Sequence, residues 1–264
     1  MSPRQRQRRQ RLSTEFHDQG PWPEGYARVV LDTVDSTMAE AARRAKNLER
    51  PTWIMAKTQT DARGRRGREW VVPEGNLNAT LIFRPEATAA EAAKRSFLAA
   101  NALYQALAIY VNVDKLALKW PNDVLLSGGK VAGILLESSG QGPFVDWLSI
   151  GIGVNLQHTP EGVTDTLFPP TSLADGGGGT VDPQDFLFTL ADAYATQEAK
   201  LLRLGFDRIR DDWLASAARL GEVITARTTR EEITGIFDSI DHDGNLVLIT
   251  GTGPRAIPAA DVFF

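Results

Sequence analysis

The 264-residue chain contains no cysteine. This excludes disulfide bonds, thiolate nucleophiles, cysteine-ligated zinc and iron–sulfur clusters. Histidine is nearly as scarce, since only His17, His158 and His242 are present and no two are close in sequence. The scarcity of imidazole argues against a histidine-rich metal site and against a Ser-His-Asp triad.

The chain also lacks a long apolar run. Its longest stretch without a charged residue, Ser96 to Val113, contains Asn101, Gln105 and Asn112, whereas a membrane-spanning helix needs about 20 predominantly apolar residues. Alanine and leucine recur there at helical spacing, which predicts a largely buried helix. The N-terminus carries arginines with no apolar segment behind them, unlike a secretory signal. We therefore expect a cytoplasmic protein with no membrane association.

The formal charge of −4 conceals an uneven distribution. Residues 1–11 contain five of the 29 basic residues and no acidic residue, which leaves 24 basic against 33 acidic residues, or −9, in the rest of the chain. Residues 1–25 are poor in apolar side chains, which predicts a disordered basic arm. The acidic body argues against broad nucleic-acid binding.

The pattern along residues 26–219 mixes strands with helices. We expect strands at 26–31, 52–58, 78–84, 115–120, 131–137 and 144–156, and helices at 39–48, 89–110, 184–204 and 206–219. Tight turns join the strands between 115 and 156, and Gly128-Gly129 predicts a type I′ hairpin, so this part should be antiparallel. It is not the repeat of a doubly wound parallel sheet.

From residue 220 the pattern changes to four short strands separated by turns, which predicts a small C-terminal β-barrel at 220–264. The predicted fold class is therefore α/β in the α+β sense. A mixed, largely antiparallel sheet with helices occupies 26–219, and the barrel follows it.

The first segment with unusual chemistry is 59–70, which reads QTDARGRRGREW. Four of the six residues from Arg63 to Arg68 are arginines, and the others are Gly64 and Gly67. Glycine lets backbone N–H groups approach a ligand, and arginine supplies forked donors for carboxylate or phosphate. Like charges this close repel without a counter-ion, so we expect a loop that orders around an anion. A solvated basic loop is the alternative.

The second segment reads KWPNDV at 119–124 and GGKVAGI at 128–134. Pro121 ends the strand, so Asn122 and Asp123 lie in a turn. Lys130 introduces a charge into an otherwise apolar strand, and the hairpin should bring it beside Lys119. An amide, a carboxylate and an ammonium group together suit a polar ligand or a magnesium-bound phosphate. A turn capped by its own polar side chains is the alternative.

The third segment is GIGVN at 151–155. Strand alternation places Gly151, Gly153 and Asn155 on one face, where two glycines clear space and an amide lies at its edge. A strand of small residues packed under a helix is the alternative. The chain has neither a Walker A motif nor a Gly-x-Gly-x-x-Gly fingerprint, so any nucleotide site must use another design.

Together with Asp35-Ser36-Thr37, these segments resemble the biotin–protein ligases. The corresponding motifs of that family read D-S-T-N, Q-x-x-G-R-G-R-R-G-R-x-W, K-W-P-N-D, G-x-K-x-x-G-I-L-x-E and G-x-G-x-N, and this chain has all five in that order. The resemblance covers residues 26–264. It implies a catalytic biotin/ATP-binding domain of the biotin-ligase and class II synthetase type at 26–219, and an SH3-like domain at 220–264.

The resemblance also implies an activity. ATP, with Mg²⁺, activates biotin to biotinyl-5′-AMP, and the biotinyl group then passes to a lysine of a biotin carboxyl carrier protein, typically that of acetyl-CoA carboxylase. No protein nucleophile is needed, in agreement with the absence of cysteine. Residues 1–25 are too short for a winged helix-turn-helix, so we expect a monofunctional ligase without specific DNA binding. A homodimer through a strand such as 144–152 is compatible with the family but not required.

Carried over residue by residue, the resemblance implies that Lys130 is the main catalytic residue, beside the biotin carboxylate, and that Arg65 helps to retain the adenylate. The implied biotin-binding residues are Ser36, Thr37, Met38, Gln59, Arg63, Gly64, Arg65, Lys130 and Gly133, with Ser36, Thr37 and Gln59 at the ureido end. The implied ATP-binding residues are Arg63, Arg65, Arg66, Arg68, Trp70, Lys119, Asn122, Asp123, Asn155 and Phe168, and Asp123 is the candidate Mg²⁺ ligand.

The chain departs from the family pattern at Met38, which replaces the usual Asn, and at Ala62, which replaces the first glycine of the loop. Three alternatives stay open. A lipoate or octanoate ligase shares the fold, although the Arg-rich loop with KWPND favours biotin. A biotin-responsive DNA-binding repressor is disfavoured by the short N-terminus. A binding protein without catalysis is disfavoured by the presence of Lys130, Asn122 and the Arg-rich loop.

Overall fold

The structure is a computed structural model that describes residues 22–64, 67, 70–71, 73–163, 168–258 and 260–264. Most of the predicted basic arm lies outside these residues. The described chain starts at Trp22, whose ring meets Phe188 edge-on with centroids 5.1 Å apart. Trp22 Nε1 donates to the carbonyl of Tyr26 at 3.1 Å. Residues 22–25 are therefore anchored to the body rather than part of a disordered arm.

A seven-stranded sheet forms the centre of the body. Its strands are β1 (Ala27–Val34), β2 (Thr52–Gln59), β3 (Leu77–Phe83), β4 (Leu116–Lys119), β5 (Asp123–Leu126), β6 (Gly129–Ser139) and β7 (Trp147–Val154). Their order is β1-β2-β3-β7-β6-β5-β4. β1 and β2 are parallel, since a helix returns the chain between them, and the other neighbouring pairs are antiparallel. The predicted mixed, largely antiparallel sheet is confirmed. Strand β5 was not predicted, and its first residue is Asp123, which the sequence placed in a turn.

Helices cover one face of this sheet completely and the other only in part. They are α1 (Thr37–Arg44), α2 (Ala89–Ala93), α3 (Arg95–Leu107), α4 (Pro183–Leu204) and α5 (Phe206–Leu214). Leu98 and Leu103 of α3 and Phe186 of α4 join Trp53 and Ile150 of the sheet in the main core.

Strand β3 shows how the two faces differ. Leu77, Ala79 and Leu81 face the main core, and Asn78 and Thr80 alternate onto the opposite face. Helix α1 lies on that second face and leaves part of it uncovered. A polar cavity therefore has room above the sheet.

Three of the four predicted helices differ from their predicted limits. The helix predicted at 39–48 is Thr37–Arg44. The predicted helix at 89–110 is two helices that meet at Lys94, and the second ends at Leu107. A capping box formed by Thr88 and Glu91 starts the first. The predicted helix at 206–219 ends at Leu214. The chain beyond it bonds to the edge of the sheet, where Leu118 N donates to Ser216 O at 2.8 Å and accepts through its own oxygen from Ala218 N at 2.8 Å.

The hairpin between β5 and β6 has the predicted type I′ character, shifted by one residue. Ser127 and Gly128 have φ angles of 51° and 83°, and Leu126 pairs with Gly129. The two central positions are therefore Ser127 and Gly128 rather than the two glycines. Both positions of this turn need positive φ, which serine adopts less readily than glycine.

The C-terminal region forms a second sheet of five antiparallel strands. They are β8 (Val223–Arg227), β9 (Glu232–Ile240), β10 (Leu246–Thr250), β11 (Gly253–Ile257) and β12 (Asp261–Phe263), in the order β11-β10-β9-β8-β12. Trp120 Nε1 donates to Gly244 O at 3.2 Å and so ties this sheet to the body. Among the described residues, none of the helices is long and apolar enough to cross a membrane.

Candidate functional site

A cavity of about 860 Å³ opens on the face of the large sheet that α1 covers only in part. Every predicted site residue that the structure describes lines it: Ser36, Thr37, Met38, Gln59, Arg63, Gly64, Trp70, Lys119, Asn122, Asp123, Lys130, Gly133, Asn155 and Phe168. Arg65, Arg66 and Arg68 lie outside the described residues. The fold thus brings the separate sequence segments to one place.

A cluster of hydroxyl and amide groups forms one end of the cavity, at the start of α1. Gln59 Oε1 accepts from the backbone N–H of Thr37 at 2.7 Å and from its hydroxyl at 3.1 Å. Thr80 Oγ1 donates to Thr37 Oγ1 at 2.8 Å. Ser36 caps the helix, its Oγ accepting from Met38 N at 3.2 Å. Rigid polar groups at this end suit a neutral ligand with its own donors and acceptors.

Glycines form the floor of the cavity. A Cβ on Gly153 would lie 2.5 Å from Trp70 Nε1, and one on Gly133 would lie 3.3 Å from the same ring. A Cβ on Gly151 would lie 2.8 Å from Met38 Sδ. Because these glycines have no side chain, Trp70 and Met38 pack directly on the sheet and form walls of the cavity. This agrees with the prediction that Gly151 and Gly153 leave space on this face.

Asp123 lies between two lysines on the other side of this floor. Its Oδ1 is 2.6 Å from Lys130 Nζ and its Oδ2 is 3.4 Å from Lys119 Nζ. Burial favours a raised pKa for Asp123, but the two ammonium groups outweigh burial and hold that pKa below its usual range. Burial lowers the pKa of Lys119, and the charge of Asp123 opposes this change. Lys119 and Lys130 together carry two positive charges against the single negative charge of Asp123, so this group can bind a further anion.

A β-bulge in β6 directs Lys130 into the cavity. Val124 pairs with Ala132 but Leu125 pairs with Lys130, so Val131 is an extra residue in β6. Val131 and Ala132 are consequently both buried in the main core, and the ammonium group of Lys130 emerges above Gly133. Regular alternation would direct Lys130 toward the core with Ala132.

Two aromatic rings contact the lysines. Lys130 Nζ lies 5.4 Å from the ring centroid of Trp70, and Lys119 Nζ lies 4.8 Å from that of Phe168. Both separations are within cation–π range. Trp70 N also donates to Ala62 O at 3.1 Å, which joins the two ends of the Arg-rich segment. Arg63, near its start, pairs with Glu137 at 3.3 Å.

The amides of Asn122 and Asn155 hold the backbone around the cavity. Asn122 Nδ2 donates to Ile134 O at 2.6 Å. Asn155 Nδ2 donates to Thr171 O at 3.0 Å. These contacts hold strand β6, which includes Lys130, and the loop before residue 173 in position.

Sequence reasoning missed several residues that line the cavity. Asn78 lies on β3, and Arg227, Asp261 and Phe263 come from the C-terminal sheet. The polar alternation of Asn78 and Thr80 within an apolar strand was a usable signal for the first. No local signal identifies the other three, because at least 70 residues separate them from the three segments singled out in the sequence.

The chain matches known families over both of its sheets. Residues 30–155 match the biotin/lipoate A/B protein ligase family, and residues 220–264 match the biotin protein ligase C terminal domain. All the lining residues named above except Phe168 lie within these two ranges.

Individual relatives agree with the family matches. A biotin–[acetyl-CoA-carboxylase] ligase from Paracoccus denitrificans is 52% identical over 89% of this chain and 99% of its own length. The bifunctional ligase/repressor BirA from Bacillus subtilis is 31% identical over 89% of this chain and 73% of its own length. Among solved structures, a biotin protein ligase from Aquifex aeolicus in complex with biotin and ATP has a TM-score of 0.76 at 26% identity, covering 89% of this chain and 97% of that one. The chain therefore belongs to the biotin/lipoate A/B protein ligase family and, within it, to the biotin protein ligases.

Proposed function

We propose that this chain is an AMP-forming ligase that attaches biotin to a carboxyl carrier protein. In the first step, a carboxylate oxygen of biotin attacks the α-phosphorus of ATP. The bond to the bridging oxygen breaks, and biotinyl-5′-AMP and pyrophosphate form. In the second step, a lysine amine of the carrier attacks the acyl carbon, AMP leaves with the bonding electrons of the anhydride, and the amine loses a proton.

One observation carries this proposal. A single cavity joins the polar cluster at the start of α1 to the Lys119–Asp123–Lys130 group across a floor of glycines. A bicyclic head with polar atoms suits the first end, and a carboxylate beside a phosphate suits the second. Lys130, above Gly133, lies where the carboxylate of such a ligand would reach the lysine group.

Charge is the main obstacle to the first step, because a carboxylate must approach a phosphate. At about 4 Å and an effective dielectric constant near 20, each pair of unit charges contributes about 4 kcal/mol. Lys130 and Lys119 carry the positive charge that opposes this repulsion, and Asp123 holds both lysines in place. Nothing in this sequence of steps needs a protein nucleophile.

Magnesium would accompany ATP, and its expected contact with Asp123 does not fit this structure. The Asp123 carboxylate already has ammonium groups at 2.6 and 3.4 Å, which oppose a third cation. In the described part of the chain, the one group of acidic and histidine side chains close enough to share an ion is Asp241, His242 and Asp243. That group lies on the exposed turn between β9 and β10. We therefore do not assign Asp123 as a magnesium ligand.

We also propose an acceptor protein, a cellular location and an oligomeric state. This proposal includes a carboxyl carrier protein as acceptor, a cytoplasmic location, no sequence-specific DNA binding, and a homodimer as an allowed assembly. The name of the Paracoccus denitrificans relative supports the carrier of acetyl-CoA carboxylase as the acceptor.

An ATP–pyrophosphate exchange assay tests the activation step. We expect exchange with biotin and none with lipoate or octanoate. The family that matches residues 30–155 includes lipoate ligases. Exchange with lipoate and not with biotin would therefore contradict the proposal and indicate a lipoate ligase. Transfer is then measured as biotinylation of an added carrier domain, with a carrier whose target lysine is replaced as the control. A gel shift at physiological salt tests the DNA expectation.

A further inference from the structure

Among the described residues that line the cavity, one buried amide has no hydrogen-bond partner on either of its polar atoms. Asn78 lies on β3 and is only 2% exposed. Its side chain lies on the cavity face of the strand, and it lines the cavity itself. Asn78 pairs with Gly153, which in turn pairs with Gly133. It therefore occupies the same cross-strand row as the glycine floor.

Asn78 differs from the other buried asparagines. Asn76, Asn101 and Asn155 each donate to a backbone carbonyl, at 2.8, 2.9 and 3.0 Å respectively. Within the described part of the chain, neither Oδ1 nor Nδ2 of Asn78 has a hydrogen-bond partner. A buried amide without partners is unfavourable, and at a position that lines a cavity a bound ligand can supply the missing hydrogen bonds.

The position of Asn78 relates it to both ends of the cavity. It is two residues along β3 from Thr80, which bonds to Thr37 in the polar cluster. Gly133, below the ammonium group of Lys130, is two strands away in the same row, a separation of about 10 Å. A ligand whose carboxylate reaches Lys130 through a flexible chain can thus bring a polar ring to Asn78.

The chemistry of the amide selects the class of ligand. An Asn side chain presents an acceptor and two donors side by side. A cyclic urea presents N–H donors next to a carbonyl acceptor, so the two groups can exchange a pair of hydrogen bonds. A dithiolane ring or an alkyl chain offers no such partner, and each would leave the buried amide unsatisfied.

We propose that Asn78 is a specificity-determining residue that hydrogen-bonds the ureido group of biotin and disfavours acids without a polar head. This inference rests on the proposed function. It adds a contact from β3 to the polar cluster at the start of α1, and so places the ureido ring at Asn78, next to the Trp70 indole that covers Gly153.

The test is Asn78→Leu, which keeps the side-chain size and removes every hydrogen-bonding atom. In the biotin-dependent exchange assay, we expect the KM for biotin to rise about tenfold or more, with kcat and the KM for ATP nearly unchanged. The preference for biotin over 2-iminobiotin, in which the ureido oxygen is replaced, should also fall. If Asn78→Leu does not reproduce the wild-type circular dichroism spectrum, Asn78→Ala takes its place with the same measurements.

Asn101→Leu is the matched control, because its amide is buried, bonded to Ile209 O and remote from the cavity. It should lower the thermal midpoint and leave the KM for biotin unchanged, whereas Asn78→Leu should not lower the midpoint. An unchanged KM for biotin in the Asn78 variant, with normal exchange by the wild type, would overturn the role of Asn78 alone. Absence of exchange by the wild-type protein would instead overturn the proposed function.

Discussion

Lys130 Nζ lies 2.6 Å from Asp123 Oδ1, across the pair of strands β5 and β6. The bulge at Val131 makes this contact available, since it directs Lys130 away from the core. A charged pair in this position holds the ammonium group at a fixed point above Gly133. The β-bulge in β6 and the ion pair with Asp123 thus together place the Lys130 ammonium group in the cavity.

Replacement of Lys130 tests its role directly. Lys130→Ala should lower kcat/KM for exchange by about 100-fold or more, because it removes a positioned positive charge where two anions meet. The measurement is ATP–pyrophosphate exchange at saturating ATP. Lys57→Ala is the control, since Lys57 forms an exposed pair with Asp32 at 2.9 Å. Equal loss of activity in both variants, or none in the Lys130 variant, would contradict the role.

The pH dependence of activity should change in Asp123→Asn. The charge of Asp123 raises the pKa of Lys119 against the effect of burial, so its removal should lower that pKa further. Lys119 would then lose its proton at a lower pH, and the alkaline limb of kcat/KM should move toward neutrality. The measurement is the pH profile of exchange, with Asp32→Asn as a control for loss of an exposed carboxylate.

The same variant should alter stability in acid. The pKa of Asp123 lies below its usual range in the folded protein. Its carboxylate therefore stabilises the fold at pH values above its pKa in the unfolded chain, which is about 4. That contribution is lost as the pH falls through the folded-state value. Asp123→Asn should be less stable than the wild type at pH 7, and the difference should narrow in acid. A difference that widens in acid would refute this account.

The glycine floor predicts a graded steric effect. Gly153→Ala places a methyl group 2.5 Å from Trp70 Nε1, so the indole must shift, and we expect the Kd for biotin to rise by about 10- to 100-fold. Gly151→Ala meets the flexible side chain of Met38 at 2.8 Å and should have a smaller effect. Gly142→Ala, with no heavy atom within 4 Å, is the control. Calorimetric titration with biotin would distinguish the three, and equal values would refute the role of the floor.

Stability away from the cavity depends on a buried ion pair. Arg95 Nη2 lies 2.6 Å from Glu198 Oε1, and both side chains are largely buried between α3 and α4. Arg95→Met leaves a buried carboxylate without its partner and should lower the free energy of unfolding by about 3–5 kcal/mol. Urea unfolding measures the loss, and Arg95→Met/Glu198→Gln should recover part of it. The KM for biotin should not change. A stability equal to the wild type would contradict this expectation.

Much of the site was predictable because its chemistry is local in sequence. The charged residue in an apolar strand, the two glycines before Asn155 and the hairpin that joins Lys119 to Lys130 are short-range features, and short-range sterics and alternation govern them. The cavity accordingly gathers every predicted residue that the structure describes. Asn78 was missed because the pattern that predicts a strand at 78–84 does not show which face of the strand lines a cavity.

The sequence by itself determined most of the strands, the presence of a tight turn before Lys130 and the residue types that match the motifs of this family. Only the tertiary structure decided which side chains face the cavity. Alternation alone directs Lys130 toward the core, and the bulge that reverses it depends on how β6 packs against β5. Arg227, Asp261 and Phe263 reach the cavity only because the second sheet docks on the body. Contacts between segments distant in sequence depend on packing of the whole chain, which local patterns do not encode.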